Sequence, residues 1–178
     1  MVMSPGLRKL VLSVHLTFSV GWIGSVVAYL ALAIAAMTSA DNTTIRAAWI
    51  GMELMGWYAI VPLAVASFIT GLVMALGTKW GLFRHYWVIF SLVLTAFALA
   101  VLLLHMPTVS SLTETARTAD AEGLEALGND LFHPAVGLVV LLAVQVLNLY
   151  KPKGMTRYGA RKQREAARRT ARDPELIA

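Results

Sequence analysis

The strongest constraint on this 178-residue chain is a set of four long stretches that contain no Asp, Glu, Lys or Arg. They cover residues 10–40, 54–78, 86–104 and 134–150. A helix needs about 20 apolar residues to cross a bilayer, and none of the four stretches shows the strict alternation of a barrel strand. The sequence therefore predicts an all-α integral membrane four-helix bundle. The predicted helices cover approximately residues 10–37, 50–77, 84–106 and 132–150.

The composition excludes several classes of function. Charged residues make up 14% of the chain, against about 25% in soluble domains, which excludes a disordered chain, a nucleic-acid-binding domain and an ordinary soluble enzyme. The absence of cysteine excludes disulfides, thiolate zinc sites and iron–sulfur clusters. The glycines form no phosphate-binding motif, and no Ser/His/Asp set lies at a common depth. The chain is not expected to be an enzyme, and if it is one, a membrane oxidoreductase is predicted.

The placement of charge predicts the orientation of the bundle. Thirteen of the fifteen Lys and Arg residues lie before the first predicted helix, between the second and third, or after the fourth. The other side carries Arg46 and Arg117 together with seven acids. Because basic residues stay inside, the prediction is a multi-pass protein of the plasma (inner) membrane with both termini cytoplasmic.

The chain divides into a transmembrane domain, residues 1–152, and a basic cytoplasmic tail, residues 153–178. The tail suits the anionic lipids of the inner leaflet. On the outer side the longest connection, residues 108–132, is predicted to form one or two short surface helices. Besides the bilayer, the expected partners are a second copy or another membrane protein, and no nucleic acid is expected.

The four histidines are the main candidates for cofactor chemistry. His15 lies inside the first predicted helix, where an ionisable side chain is costly and is a functional candidate by default. His85 opens the third helix on the same side, whereas His105 and His133 lie at the outer ends of the third and fourth helices. Two imidazoles from facing helices can ligate a b-type haem without any cysteine.

The inner pair, His15 with His85, is the first choice for this haem. Arg84, Arg8 or Lys79 can bind the haem propionates, and Trp22 lies on a face of the first helix that either walls the macrocycle or packs against another helix. His105 and His133 form the candidate second site. Because 20 residues on an ideal helix correspond to about 200°, His85 and His105 point to nearly opposite faces, which favours one haem over two.

A second interpretation uses the outer side of the bundle. Thioether, imidazole and carboxylate ligands there suit copper, and the chain supplies Met52, Glu53, Met55, His105, Met106 and His133. This set predicts a protein that handles copper or transports a small ligand. A third interpretation, a membrane scaffold subunit, needs no cofactor.

Several short motifs resemble known membrane families. The segment Val14-His15 followed by Gly21-Trp22-Ile23-Gly24 resembles the opening helix of copper-resistance-D-like proteins. The dipeptide Thr70-Gly71, the loop 79–87 and the exit 150–154 resemble a family of predicted four-helix integral membrane proteins of unknown function. The resemblance covers roughly residues 8–160.

A first-helix histidine is also a feature of haem-binding membrane proteins such as the bacterial protoporphyrinogen oxidase, and this similarity implies His15 as the cofactor ligand. The predicted function is therefore a haem b protein that serves electron transfer or redox or haem sensing.

Overall fold

The computed structural model describes residues 3–78 and 81–172. Within these residues the chain forms seven α-helices and one π-helical turn, and no β-strand. In chain order they are α1 (Pro5–Thr38), α2 (Asn42–Met55), the π turn (Gly56–Ile60), α3 (Val61–Gly77), α4 (Tyr86–Thr118), α5 (Ala121–Ala126), α6 (Phe132–Tyr150) and α7 (Arg157–Arg172). The predicted all-helical fold is confirmed.

Four helical units in this part of the chain are long and apolar enough to cross a membrane, namely α1, α2 continued through the π turn into α3, α4, and α6. Consecutive units run in opposite directions, so the bundle has two ends. The start of α1, residues 81–85 and α7 lie at the basic end, and residues 39–41 and 119–131 lie at the acidic end. The cytoplasmic location of the basic end stays a prediction.

Local capping signals determine where the first two helices begin. Ser4 accepts a hydrogen bond from the backbone of Leu7, and Pro5 occupies the first turn of α1, where its missing N–H costs nothing. Asp41 accepts hydrogen bonds from the backbone N–H groups of Thr43 and Thr44, so α2 begins at Asn42 rather than near residue 50 as predicted.

The third predicted helix also extends further than expected, because α4 continues through Pro107 to Thr118 instead of ending near residue 106. A proline inside a helix removes one backbone hydrogen bond, but the next two turns are held by burial. Val109 and Thr113 are fully buried, and the Thr113 hydroxyl donates to the Trp49 carbonyl of α2 at 3.1 Å. Tertiary packing therefore maintains the helix beyond the proline. The predicted fourth helix and α6 share the same bounds, Phe132–Tyr150.

Arg46 fixes the far end of α4. Its guanidinium donates to the carbonyl oxygens of Ala116 at 2.6 Å, of Ala119 at 3.0 Å and of Arg117. The last carbonyls of a helix have no partner within the helix, so this side chain caps α4 from α2. One of the two outer cations identified in the sequence thus has a structural role.

The π turn lies directly before Pro62 and makes a close contact with α4. The backbone N–H of Val61 donates to the Gly56 carbonyl, the i to i−5 pattern of a π-helix. A Cβ on Gly56 would overlap the thioether of Met106. The glycine therefore allows α4 to approach the turn at the level of His105.

The basic end is closed by a junction between the chain after α6 and the segment before α4. Thr156 donates from its backbone to the Arg84 carbonyl at 3.0 Å and from its hydroxyl to the Phe83 carbonyl at 2.6 Å. Its hydroxyl also accepts from the Gly159 backbone at 3.0 Å, which caps α7. The part of the tail that the structure describes therefore begins as a docked helix.

Candidate functional site

A buried carboxylate at the acidic end connects three of the four long apolar helical units. Asp130 is only 6% exposed. The Nε2 atom of His105 lies 3.0 Å from both of its oxygens, and the Tyr29 hydroxyl donates to its Oδ2 at 2.5 Å. The Nδ1 atom of His133 lies 3.6 Å from its Oδ1. Since α1, α4 and α6 each supply a side chain, Asp130 is the point at which these spans meet.

The two imidazoles of this cluster lie against each other. His105 lies near the middle of α4, and His133 lies in the first turn of α6, three residues after Asp130. Their ring centroids are 4.0 Å apart with 24° between the planes. This face-to-face contact leaves no room for a porphyrin between the rings in this structure. It brings the two ring edges to the same carboxylate.

The hydrogen bonds determine the charge of the carboxylate. Burial raises the pKa of Asp130, but the hydrogen bonds from His105 and Tyr29 outweigh burial, so the pKa lies below its ordinary value. An ionised carboxylate only accepts hydrogen bonds. The Nε2 atom of His105 and the Tyr29 hydroxyl are therefore the donors.

The same three residues have the donor set and spacing of a metal site. One ligand atom from each of His105, Asp130 and His133 lies within 4.8 Å of the other two. Metal–ligand bonds of about 2.0–2.2 Å to imidazole and carboxylate can be made from such a triangle with small rotations. Tyr29 then serves as the outer partner that orients the ligating carboxylate.

A cavity of about 260 Å³ lies beside the cluster. Its walls come from α1, the π turn, α4 and α6, and most of its lining residues are apolar. His105, Asp130 and His133 line it together with Trp22 and Tyr29. The cluster therefore borders an apolar space between the spans.

Among the residues predicted for the inner haem, His15 makes a hydrogen bond that bears on which ring nitrogen carries the proton. Its Nδ1 atom lies 3.0 Å from the Thr70 hydroxyl of α3. That hydroxyl also lies 2.7 Å from the Ala66 carbonyl, and when it donates there it accepts from His15, whose imidazole proton is then on Nδ1. The Nε2 atom then carries a lone pair, and a Cβ added at Gly71 would lie 3.1 Å from the ring carbon between the two nitrogens.

The other inner candidates lie elsewhere. His85 is the N-cap residue of α4 and pairs through its backbone with Met155, and Arg84 belongs to the same junction with the tail. Trp22 is buried and lines the cavity near the acidic end. Lys79, and with it Trp80, lies outside the described residues. The inner haem stays a prediction.

The residues proposed for copper fall into separate groups. Glu53 pairs with Arg117 at 3.3 Å. Met52 and Met106 are buried in the apolar interior, and Met55 packs against the buried core. Only the two histidines of that set join one polar cluster in the part of the chain that the structure describes, and the residue joining them is Asp130.

Asp130 and Tyr29 are the site residues that the sequence interpretation did not select. Asp130 was counted only as one of the outer acids. One local signal was present, because Asp130 and His133 are three residues apart at the start of a span, a spacing that places both side chains on one face. Tyr29 lies 101 residues before Asp130, and no sequence pattern links the two.

Comparison of the chain with protein-family models, with curated proteins and with solved structures gives no match.

Proposed function

We propose that this protein is an integral membrane metal-binding protein whose His105–Asp130–His133 cluster holds one divalent transition-metal ion. The observation that carries the proposal is the convergence of two imidazoles and one buried carboxylate within 4.8 Å. Imidazole with carboxylate suits zinc, copper(II), iron and nickel. The cluster of two imidazoles and one carboxylate contains no thioether, the ligand that copper(I) prefers, so it favours a divalent ion.

The surroundings of the cluster are compatible with this function. The hydrogen bonds from His105 and Tyr29 keep the buried carboxylate paired in the absence of a metal, and an ion bound by the imidazoles would replace the hydrogen bond from His105. His133 is half exposed, so an ion can reach the cluster from the acidic end, while Asp130 is shielded behind it. The apolar cavity on the other side leaves space for a further ligand of the metal.

Cobalt(II) titration of the purified, chelator-treated protein in detergent tests the proposal. We expect one cobalt ion per chain, with visible absorption bands typical of nitrogen and oxygen ligands. Since each ligand contributes strongly, His105→Ala and His133→Ala should each weaken binding at least 100-fold, beyond the 10–100-fold typical of a lost outer-shell partner.

His85→Ala is the matched control, because it removes a histidine at the opposite end of the bundle. It should leave the cobalt affinity within twofold. A cobalt affinity that is the same in His105→Ala, His133→Ala and the unmodified protein would contradict the metal site.

A haem b function, with His15 as a ligand, is the second candidate. The observation that favours it is the hydrogen bond to Thr70, because a histidine that ligates a metal usually donates its other ring N–H to a partner. Expression with added haem should give a Soret band that shifts or disappears in His15→Ala, and that persists in the double variant His105→Ala/His133→Ala. A colourless protein, or a band unchanged in His15→Ala, would remove this candidate.

A further inference from the structure

We propose that the cavity beside the cluster binds the ring head group of a lipid-soluble quinone, which enters from the bilayer between α4 and α6. This binding site goes beyond the metal site and does not need a bound metal. The walls of the cavity, the position of its mouth, its polar end and its size all fit such a ligand.

The walls match an aromatic ring. They are formed by the buried Trp22 and by aliphatic side chains at membrane depth, including Val101, Val140 and Leu141. Because the side chains that line the cavity are apolar, the cavity binds an apolar ligand in preference to water. A charged or strongly hydrated ligand is therefore disfavoured.

The mouth of the cavity opens toward lipid. Phe97 of α4 and Val136 of α6 both line the cavity, yet 62% and 46% of their surfaces are exposed. Both lie within apolar spans, so the medium outside them is the hydrocarbon of the bilayer. A ligand that reaches the cavity through this gap must dissolve in lipid.

The polar end identifies the class of lipid. His105, His133 and Asp130 line the cavity in addition to contacting each other. An imidazole can donate or accept a hydrogen bond, so it can bind the carbonyl oxygen of a quinone or the hydroxyl of the reduced quinol. An acyl chain and the fused rings of a sterol carry no carbonyl or hydroxyl group within their apolar part, so they cannot make this hydrogen bond there.

The volume limits the ligand to a small ring system. The cavity of about 260 Å³ lies just below the range of roughly 300–1,000 Å³ for pockets that enclose drug-sized ligands. One or two fused rings fit this space, and an isoprenoid chain can leave through the lipid-facing mouth. A porphyrin is too large for it.

Quenching of tryptophan fluorescence by menadione, measured on chelator-treated protein in detergent, tests this proposal. Trp22 borders the cavity, so binding should quench its emission saturably, and Trp22→Phe should remove most of the saturable part. The compound 2-methylnaphthalene has the same carbon skeleton without oxygens. It should displace bound menadione, as measured by equilibrium dialysis, only at concentrations at least tenfold above the Kd of menadione.

Two glycines provide matched variants. A Cβ on either Gly137 or Gly24 meets nothing within 4 Å, but Gly137 lines the cavity whereas Gly24 is exposed on the outside of α1. Gly137→Phe should weaken menadione binding at least tenfold, and Gly24→Phe should leave it unchanged. Val140→Phe fills the same cavity and serves if Gly137→Phe does not fold, as judged by its helical circular dichroism.

Equal menadione binding by the unmodified protein and a folded cavity-filling variant would overturn the proposal, as would equal affinity for 2-methylnaphthalene. Cobalt binding, measured on the same variants, separates the two proposals. A protein that binds cobalt but not menadione refutes the quinone site alone, and the reverse result refutes the metal site alone.

Discussion

Replacement of Asp130 by Ala is expected to lower the free energy of unfolding by about 3 kcal/mol or more, since each hydrogen bond to a charged group contributes roughly 1.5–3 kcal/mol. Asp130 accepts from Tyr29 and from His105, and it is almost completely buried. Its removal leaves both donors without an acceptor in an apolar environment, which adds a desolvation cost. Unfolding of the purified protein in mixed micelles of increasing denaturing detergent measures the loss.

Tyr29→Phe provides the comparison, because it removes only the hydroxyl that donates to Asp130. Its expected cost is about 1.5–3 kcal/mol, the contribution of one hydrogen bond to a charged group. Residues in one hydrogen-bond network are not additive, so the double variant Tyr29→Phe/Asp130→Ala should be hardly less stable than Asp130→Ala. Additive losses would show that the two side chains act independently.

The number of helical units long and apolar enough to cross a membrane could be predicted from the sequence, because such units need a long stretch without charge. The limits of α4 could not. Pro107 and the charged residues Glu114 and Arg117 mark the end of an apolar stretch, and a local interpretation ends the helix there. The burial of Val109 and Thr113 against α2 is a long-range effect that no window of the sequence contains.

The candidate site was accessible from the sequence in part. His105 and His133 were recognised as a pair at one level of the membrane, and the structure stacks their rings. The assignment of a cofactor to that pair depended on the group that both ring edges face. This group is Asp130, which comes from the loop before α6, and its contact with Tyr29 depends on how α1 packs against α6. Such contacts follow from the tertiary fold.

Ideal helical geometry applied to only one of the two histidines predicted at the ends of the third helix. The offset of about 200° between His85 and His105 assumes that both are helical. His105 is helical and faces the cluster, but His85 precedes α4 with an extended backbone, φ −129° and ψ 135°. The helical offset therefore does not apply to His85, whose backbone pairs with Met155 instead.

Gly159→Ala is expected to undock α7 and to make the tail about tenfold more sensitive to trypsin. A Cβ at residue 159 would overlap the carbonyl oxygen of Arg84 and lie 3.0 Å from its Cα. These are backbone atoms of the junction, which cannot rotate away as a flexible side chain can. Overpacking of this kind costs roughly 1–3 kcal/mol, and a loss of about 1.4 kcal/mol changes an equilibrium tenfold.

Helix propensity alone would predict the opposite effect of Gly159→Ala on cleavage. Alanine is favoured over glycine within a helix by about 1 kcal/mol, so an undocked α7 would gain stability from the substitution and resist the protease better.

Gly154→Ala is the matched control, because a Cβ there meets only a Tyr86 ring carbon at 3.6 Å, an ordinary contact. Trypsin cleaves after Arg157, Arg161 and Lys162 when the segment opens, and cleavage follows the open population when opening is fast. Faster cleavage in Gly159→Ala but not in Gly154→Ala would therefore place the stability of the tail in its contact with Arg84, whereas slower cleavage would mean that the helix stands alone.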